Sequence, residues 1–93
     1  MKRENWSPCL NQSLSATSED GDIVTLELLE NNSLGEKPEA GQEAYSLIFR
    51  GPLQDFPQQG IMTLQHLAIG TVDVFMVPIG SDQHGMCYEA IFN

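Results

Sequence analysis

The feature that most constrains this chain is its hydrophobic period. Apolar residues return at every second position in short runs, each run ends near Gly, Pro, Asn or Asp, and no stretch shows the return of an amphipathic helix. In Ile23-Val24-Thr25-Leu26-Glu27-Leu28-Leu29-Glu30, Val24, Leu26 and Leu28 fall on one face, Thr25 and Glu27 on the other. A pleated strand sends successive side chains to opposite faces, so this run reads as a half-buried strand. Tyr45, Leu47 and Phe49 alternate in the same way with Ala44, Ser46 and Arg50 until Gly51-Pro52 stops the run. Ser13–Thr17, Ile61–Ala68, Thr71–Val77 and Met86–Phe92 supply four further strands. Ser18-Glu19-Asp20-Gly21-Asp22 joins the first two as a hairpin, Ile69-Gly70 reverses the chain between the fourth and fifth, and Pro78 to Gly85 is a turn-rich stretch. The expectation is an all-β fold, a small antiparallel six-stranded barrel or sandwich with a short N-terminal helical turn.

That helical turn is expected from Pro8 to about Gln12, within an N-terminal segment 1–12, because Ser7 can cap the first free N–H groups and Pro8 loses no needed donor. Residues 31–43 are rich in Asn, Gly, Glu and Pro without an apolar period, and are expected to form the longest loop. Leu53 to Gln59 is expected to be a loop, with Phe56 tucked back over an end of the core. Val72, Val74, Phe75 and Val77 place apolar side chains on both faces of one strand, which favours a strongly curled sheet or burial against a second copy. Ninety-three residues build one hydrophobic core and not two, so 1–93 reads as a single β domain with any site on its surface or at an interface.

Charge narrows the partners. Lys2, Arg3, Lys37 and Arg50 oppose thirteen carboxylates, for a formal net charge of −9. Nucleic acid is excluded as an expected partner, since binding it takes clustered Lys and Arg, and anionic membranes are disfavoured by the same repulsion. A basic partner is compatible with this charge, although solubility alone accounts for it. The N-terminal residues hold no signal peptide and no apolar span, so a cytoplasmic location is expected. Cys9 and Cys87 would meet if the first and last segments paired, but without a secretory signal two free thiols are the expected state.

Chemistry-bearing residues are few. His66, His84, Cys9 and Cys87 are the soft-metal ligand types, and His84-Gly85-Met86-Cys87 has a spacing that zinc sites use. A structural site wants four ligands from close pairs, so His66, His84 and Cys87 are weak candidates; no metal or other cofactor is expected. Ser18 to Asp22 lacks the alternating ligands and distal Glu of a calcium loop. There is no Gly-x-Ser-x-Gly elbow, no catalytic Cys motif and no phosphate-cradling Gly loop. No catalytic residue is assigned, and the chain is expected not to be an enzyme.

Partner binding is the remaining reading. Trp6 and Phe56, with Tyr45, suit an exposed aromatic patch, whereas the plainer reading makes Trp6 a plug for one end of a barrel. Arg50, the lone cation of the sheet region, either pairs with Glu89 or Asp73 or anchors a partner. Arg50, Trp6 and Phe56 are thus the partner-binding candidates.

Tyr45 to Pro52, Gln59 to His66, Phe75 to Gly80 and Tyr88-Glu89-Ala90-Ile91-Phe92-Asn93 together resemble an uncharacterised family of small, acidic bacterial domains of unknown function that end in Tyr-Glu-Ala-aliphatic-Phe-Asn. The match is good from Tyr45 to Asn93 and loose before it. The resemblance implies bacterial origin and a shared β fold, no activity, and genes lying near phage-tail-like or fibre proteins. The resulting expectation is a non-enzymatic protein-binding or assembly module, by self-association or with a protein partner, as an accessory or structural component of such a system. The alternative is a small-ligand or metal-binding protein with a site at one end of the barrel, around His66, His84 and the Asp20 turn.

Overall fold

A computed structural model describes residues 1–37, 42–53 and 59–93. Its strands are β1 (Ser13–Thr17), β2 (Ile23–Lys37), β3 (Gln42–Gly51), β4 (Gly60–His66), β5 (Gly70–Asp82) and β6 (Gly85–Phe92). They form a closed antiparallel barrel in the order β1-β2-β3-β6-β5-β4, and the ring is completed where β1 pairs with β4 through Ala16 and Leu64. The fold is the all-β antiparallel one that the alternation implies, and of the two architectures it is the barrel. Closure leaves the ring without the unpaired edges of an open sheet.

The inward positions are the alternating apolar ones. Val24, Leu26 and Leu28 from β2, Tyr45, Leu47 and Phe49 from β3, Met62 and Leu64 from β4, Val74 and Met76 from β5, and Tyr88 and Ala90 from β6 join in one core cluster. Removing this area from water is the main stabilising term, about 25 cal/mol per Å² of apolar surface.

Three boundaries differ from the sequence reading. Residues 31–43 are not one long loop, because β2 runs on to Lys37 and β3 starts at Gln42. Backbone pairing, from Asn32 with Ser46 to Lys37 with Gln42, holds this stretch extended. β1 accompanies β2 only as far as Glu27, and β6 accompanies β3 only from Tyr45, so the two strands continue beyond the ring as a two-stranded arm. On β2 the consecutive residues Asn32, Ser33, Leu34 and Gly35 are all exposed, so the arm needs no apolar period there and its sequence looks like a loop. The register slips between Ser33 and Gly35, and Gly35 takes φ 103°, a value at which a side chain would be strained. Secondly, β5 continues through Pro78 to Asp82, with a register shift between Pro78 and Gly80 that accommodates the missing proline N–H. Thirdly, β4 ends at His66, before the expected Ala68.

The N-terminal helical turn is a 3-10 segment, Arg3–Cys9, earlier than expected and with Pro8 inside it. Asn5 Oδ1 accepts the Lys2 N–H at 2.9 Å, which satisfies one of the donors that a helix start leaves free. Arg3 pins the segment to β2: its Nε donates to Asn31 Oδ1 at 3.1 Å and its Nη2 to the Asn31 carbonyl at 3.0 Å, while Asn31 Nδ2 donates back to the Arg3 carbonyl at 3.0 Å.

Trp6 is 0% exposed, which removes it from the partner-binding candidates. Its ring meets Phe49 edge-on at 6.4 Å and Phe92 at 5.8 Å, closing the core where β3 begins and β6 ends. Tyr45 stacks on Phe92 at 4.6 Å. Trp6 Nε1 donates to Tyr45 Oη at 3.1 Å, and that hydroxyl donates to the Met1 carbonyl at 2.8 Å. The buried polar tips are thereby satisfied, which a buried indole requires. Phe56 lies outside the described residues.

Trp6→Ala is expected to cost about 3–5 kcal/mol of unfolding free energy in denaturant titration, the range for emptying a buried aromatic site. Gly85→Ala should also lower the melting temperature steeply, since a Cβ at Gly85 would fall on the Gly51 carbonyl oxygen.

Candidate functional site

Three regions of the described surface gather side chains with chemical potential. The first surrounds Arg50 on the outer face. Arg50 faces Glu27 of β2 on one side and Cys87 of β6 on the other. Its Nη2 lies 3.1 Å from Glu27 Oε1 and its Nη1 3.4 Å from Asp82 Oδ2. The acids that pair with Arg50 are therefore Glu27 and Asp82, not Glu89 or Asp73. The ring order explains the correction: β3 neighbours β6 out of sequence, which carries the β5–β6 turn to Arg50 and sets Glu89 beside Ile48. Asp73 instead accepts from Thr63 Oγ1 at 2.7 Å.

Asp82 organises that turn. Its Oδ1 accepts the His84 N–H at 2.7 Å and the Gly85 N–H at 2.9 Å. The His84 amide foremost, with Gly85 and the Arg50 guanidinium, holds the Asp82 carboxyl below its ordinary range. Cys87 Sγ donates weakly to Asp82 Oδ2 at 3.9 Å. Burial, followed by the Asp82 charge, pushes the Cys87 thiol up, so it is a poor nucleophile. Ser13, Thr25, Glu27, Arg50, Gly51 and His84 are among the residues around an open groove of about 450 Å³ here. With its only guanidinium tied to two carboxylates, the groove offers a ligand no free cation among the described residues.

The second region is the β4–β5 turn. The Ala68 N–H donates to His66 Nδ1 at 2.9 Å, and His66 Nε2 meets Gln12 Oε1 at 2.9 Å. With Nδ1 accepting, the network assigns the proton to Nε2, which donates to Gln12. Both ring nitrogens are then occupied in fastening the turn to the N-terminal segment. His84 sits in the turn at the other end of β5, so the 13 residues of that strand separate the two histidine-bearing turns. Cys9, the last residue of the 3-10 segment, is buried in the core, and burial pushes its thiol up, whereas Cys87 faces outward; both are free. Among the described residues no group of three or more His, Cys, Asp or Glu converges, so the structure does not bring His66, His84 and Cys87 together as a ligand set.

The third region is apolar and was only half legible in the sequence. The parity that turns Val74 and Met76 inward turns Phe75 and Val77 outward. Phe75 is 53% exposed and pairs across the strands with Ile61 of β4, which is 46% exposed. On β6, Ile91 is 55% exposed and lies two residues beyond Glu89, the residue that faces Val77. Ile61 and Phe75 thus begin an outward apolar row that Val77 and Ile79 continue along β5, with Ile91 exposed on the outer face of β6. Acids border it: Asp73 is two residues from Phe75 on the same face, Glu89 lies opposite Val77, and Glu19 Oε1 accepts the Ile61 N–H at 3.4 Å.

Acid should expose the role of Asp82. Its carboxyl titrates lower in the folded chain than its ordinary value of 3.8, so its contribution is complete above that pH and is lost as pH falls through the lower folded value. Asp82→Asn keeps an oxygen to accept the turn amides and loses the charge facing Arg50. Thermal melts are expected to show a shallower loss of stability below pH 3.8 for this variant than for the parent chain.

Among the described residues no helix is long and apolar enough to cross a membrane. No curated protein matches the chain, and no solved structure does. A family model covers residues 1–92, the N-terminal part included. The chain therefore belongs to the family described as Domain of unknown function (DUF6916).

Proposed function

We propose that this chain is a non-enzymatic protein-binding or assembly module, cytoplasmic, and that the outer row of β4, β5 and β6 is its docking face. The observation that carries the reading is Phe75, an aromatic ring left half in water on the outside of a closed barrel, with Ile61 directly opposite on β4 and Ile91 also exposed on β6. Scattered exposed apolar residues are ordinary, whereas a contiguous exposed row marks an interaction surface. A small accessory or structural component of a phage-tail-like or fibre system is the setting that suits such a module.

The competing small-ligand reading has less support. Leu14, Leu26, Leu47, Phe49 and Leu64 occupy the barrel interior, and the groove beside Arg50 is open, its guanidinium already tied to Glu27 and Asp82. Arg50 acts here as a clamp between β2, β3 and the β5–β6 turn, and Trp6 as part of the core.

Site-specific photo-cross-linking tests the proposal. With p-benzoylphenylalanine in place of Phe75, irradiation in the native host is expected to yield a discrete higher-mass adduct. The same probe in place of Thr25, also exposed but on β2, should yield little. Equal adducts from both positions, or from neither, would contradict the assignment of this face.

A further inference from the structure

We propose that the occupant of the β4–β5–β6 row is a different polypeptide that brings apolar side chains inside a frame of Lys and Arg, and not a second copy of this chain. The inference rests on the reading of that row as a docking face and adds the chemistry of what docks there.

Charge placement carries the argument. Asp73, Glu89 and Glu19 border the row, while the four cations belong elsewhere. Lys2 and Arg3 lie in the N-terminal segment, Lys37 ends β2 on the arm, and Arg50 is on β3. Arg3 is held by Asn31 and lies 3.9 Å from Glu43, and Arg50 is held by Glu27 and Asp82. A two-fold dimer through the row would set the same patch against itself, placing two copies each of Asp73 and Glu89 at one interface with no cation of the row to compensate. Removing like charges from water without partners opposes such a contact, and a chain of net charge −9 is repelled at long range as well.

Glu89 sharpens the point. Its strand partners are Val77 on β5 and Ile48 on β3, so this half-buried carboxylate stands between apolar neighbours on the outer face. A Lys or Arg delivered by a partner would meet it in a medium less polar than water, where attraction is stronger. β4 pairs with β5 from Gly70 to Met76 and β6 pairs with it from Val77 to Asp82, so each part of β5 beneath the row already has one strand partner. The exposed apolar side chains and their acidic border call for an apolar stripe flanked by cations, on a helix or strand laid across the row.

The test uses the full chain and three alternating peptides of equal length: Lys/Leu, Lys/Ser and Glu/Leu. Amide shifts in two-dimensional NMR locate binding, and sedimentation at low and high salt reports self-association. The Lys/Leu peptide is expected to shift the amides around Ile61, Phe75 and Ile91, to bind at least tenfold tighter than either control, to weaken with added salt, and to lose at least tenfold with Phe75→Ser. A Lys/Ser peptide that binds as well, or Lys/Leu binding unchanged by Phe75→Ser, would overturn the proposal by showing that charge alone acts. Glu/Leu binding equal to Lys/Leu at the row would keep the docking face and overturn the cationic partner. A dimer that Phe75→Ser dissociates would do the same. No shift at the row with any peptide, and no self-association, would overturn both readings.

Discussion

The β1–β4 ladder is the contact on which everything else depends. It is short, with Ser15, Ala16 and Thr17 facing Gln65, Leu64 and Thr63, yet it joins the ends of the ring. Without it the chain would be an open curled sheet with two bare edges and no fixed distinction between inside and outside. With it, the alternation on every strand acquires a sign: Leu64, Met76 and Ala90 face the core, while Thr63, Phe75 and Ile91 face water. The outer apolar row follows from that sign, since the positions flanking Phe75 on β5 are committed to the interior.

The N-terminal segment completes what the ladder begins. A ring of six short strands leaves its ends open to water, and Trp6 covers the end at which Tyr45 and Phe92 stack. The indole and the phenol satisfy one another and the Met1 carbonyl, so a large apolar plug is added without leaving a polar atom stranded. Burial also raises the Tyr45 hydroxyl above its ordinary pKa, so it stays protonated and able to donate. Arg3, by bonding the Asn31 carbonyl, fastens the N-terminal segment to β2 beyond the point where β1 leaves it.

The fold was legible wherever burial and strand period coincide. Val24, Leu26 and Leu28, or Tyr45, Leu47 and Phe49, announce a strand because every second residue enters the core. The arm was illegible because its strands are held by backbone hydrogen bonds with little burial, and nothing in Asn31 to Gln42 marks pairing without an apolar face. The partners of Arg50 were out of reach for a different reason. They depend on β3 lying next to β6, a neighbour relation that sequence order does not contain. Trp6 as plug or patch was undecidable from composition, since the choice turns on whether its N–H finds the Tyr45 hydroxyl. The outer row was visible in part: Phe75 and Val77 are conspicuous on a strand whose other face is apolar too. That Ile61 faces Phe75 is set by the turn at Leu67 to Ile69, which fixes the β4–β5 register.

The central claim is that the Ile61, Phe75 and Ile91 row is exposed in the isolated chain and covered in its working state. Methyl NMR with a soluble paramagnetic probe measures this directly, first on the dilute purified protein and then on labelled protein in extract of its native host. The account predicts that the Ile61, Val77 and Ile91 methyls broaden in the purified sample and are protected in extract, while Leu64 and Met76 are protected in both. Methyls of the row that stay open to the probe in extract, or are already shielded in the dilute purified chain, would contradict it.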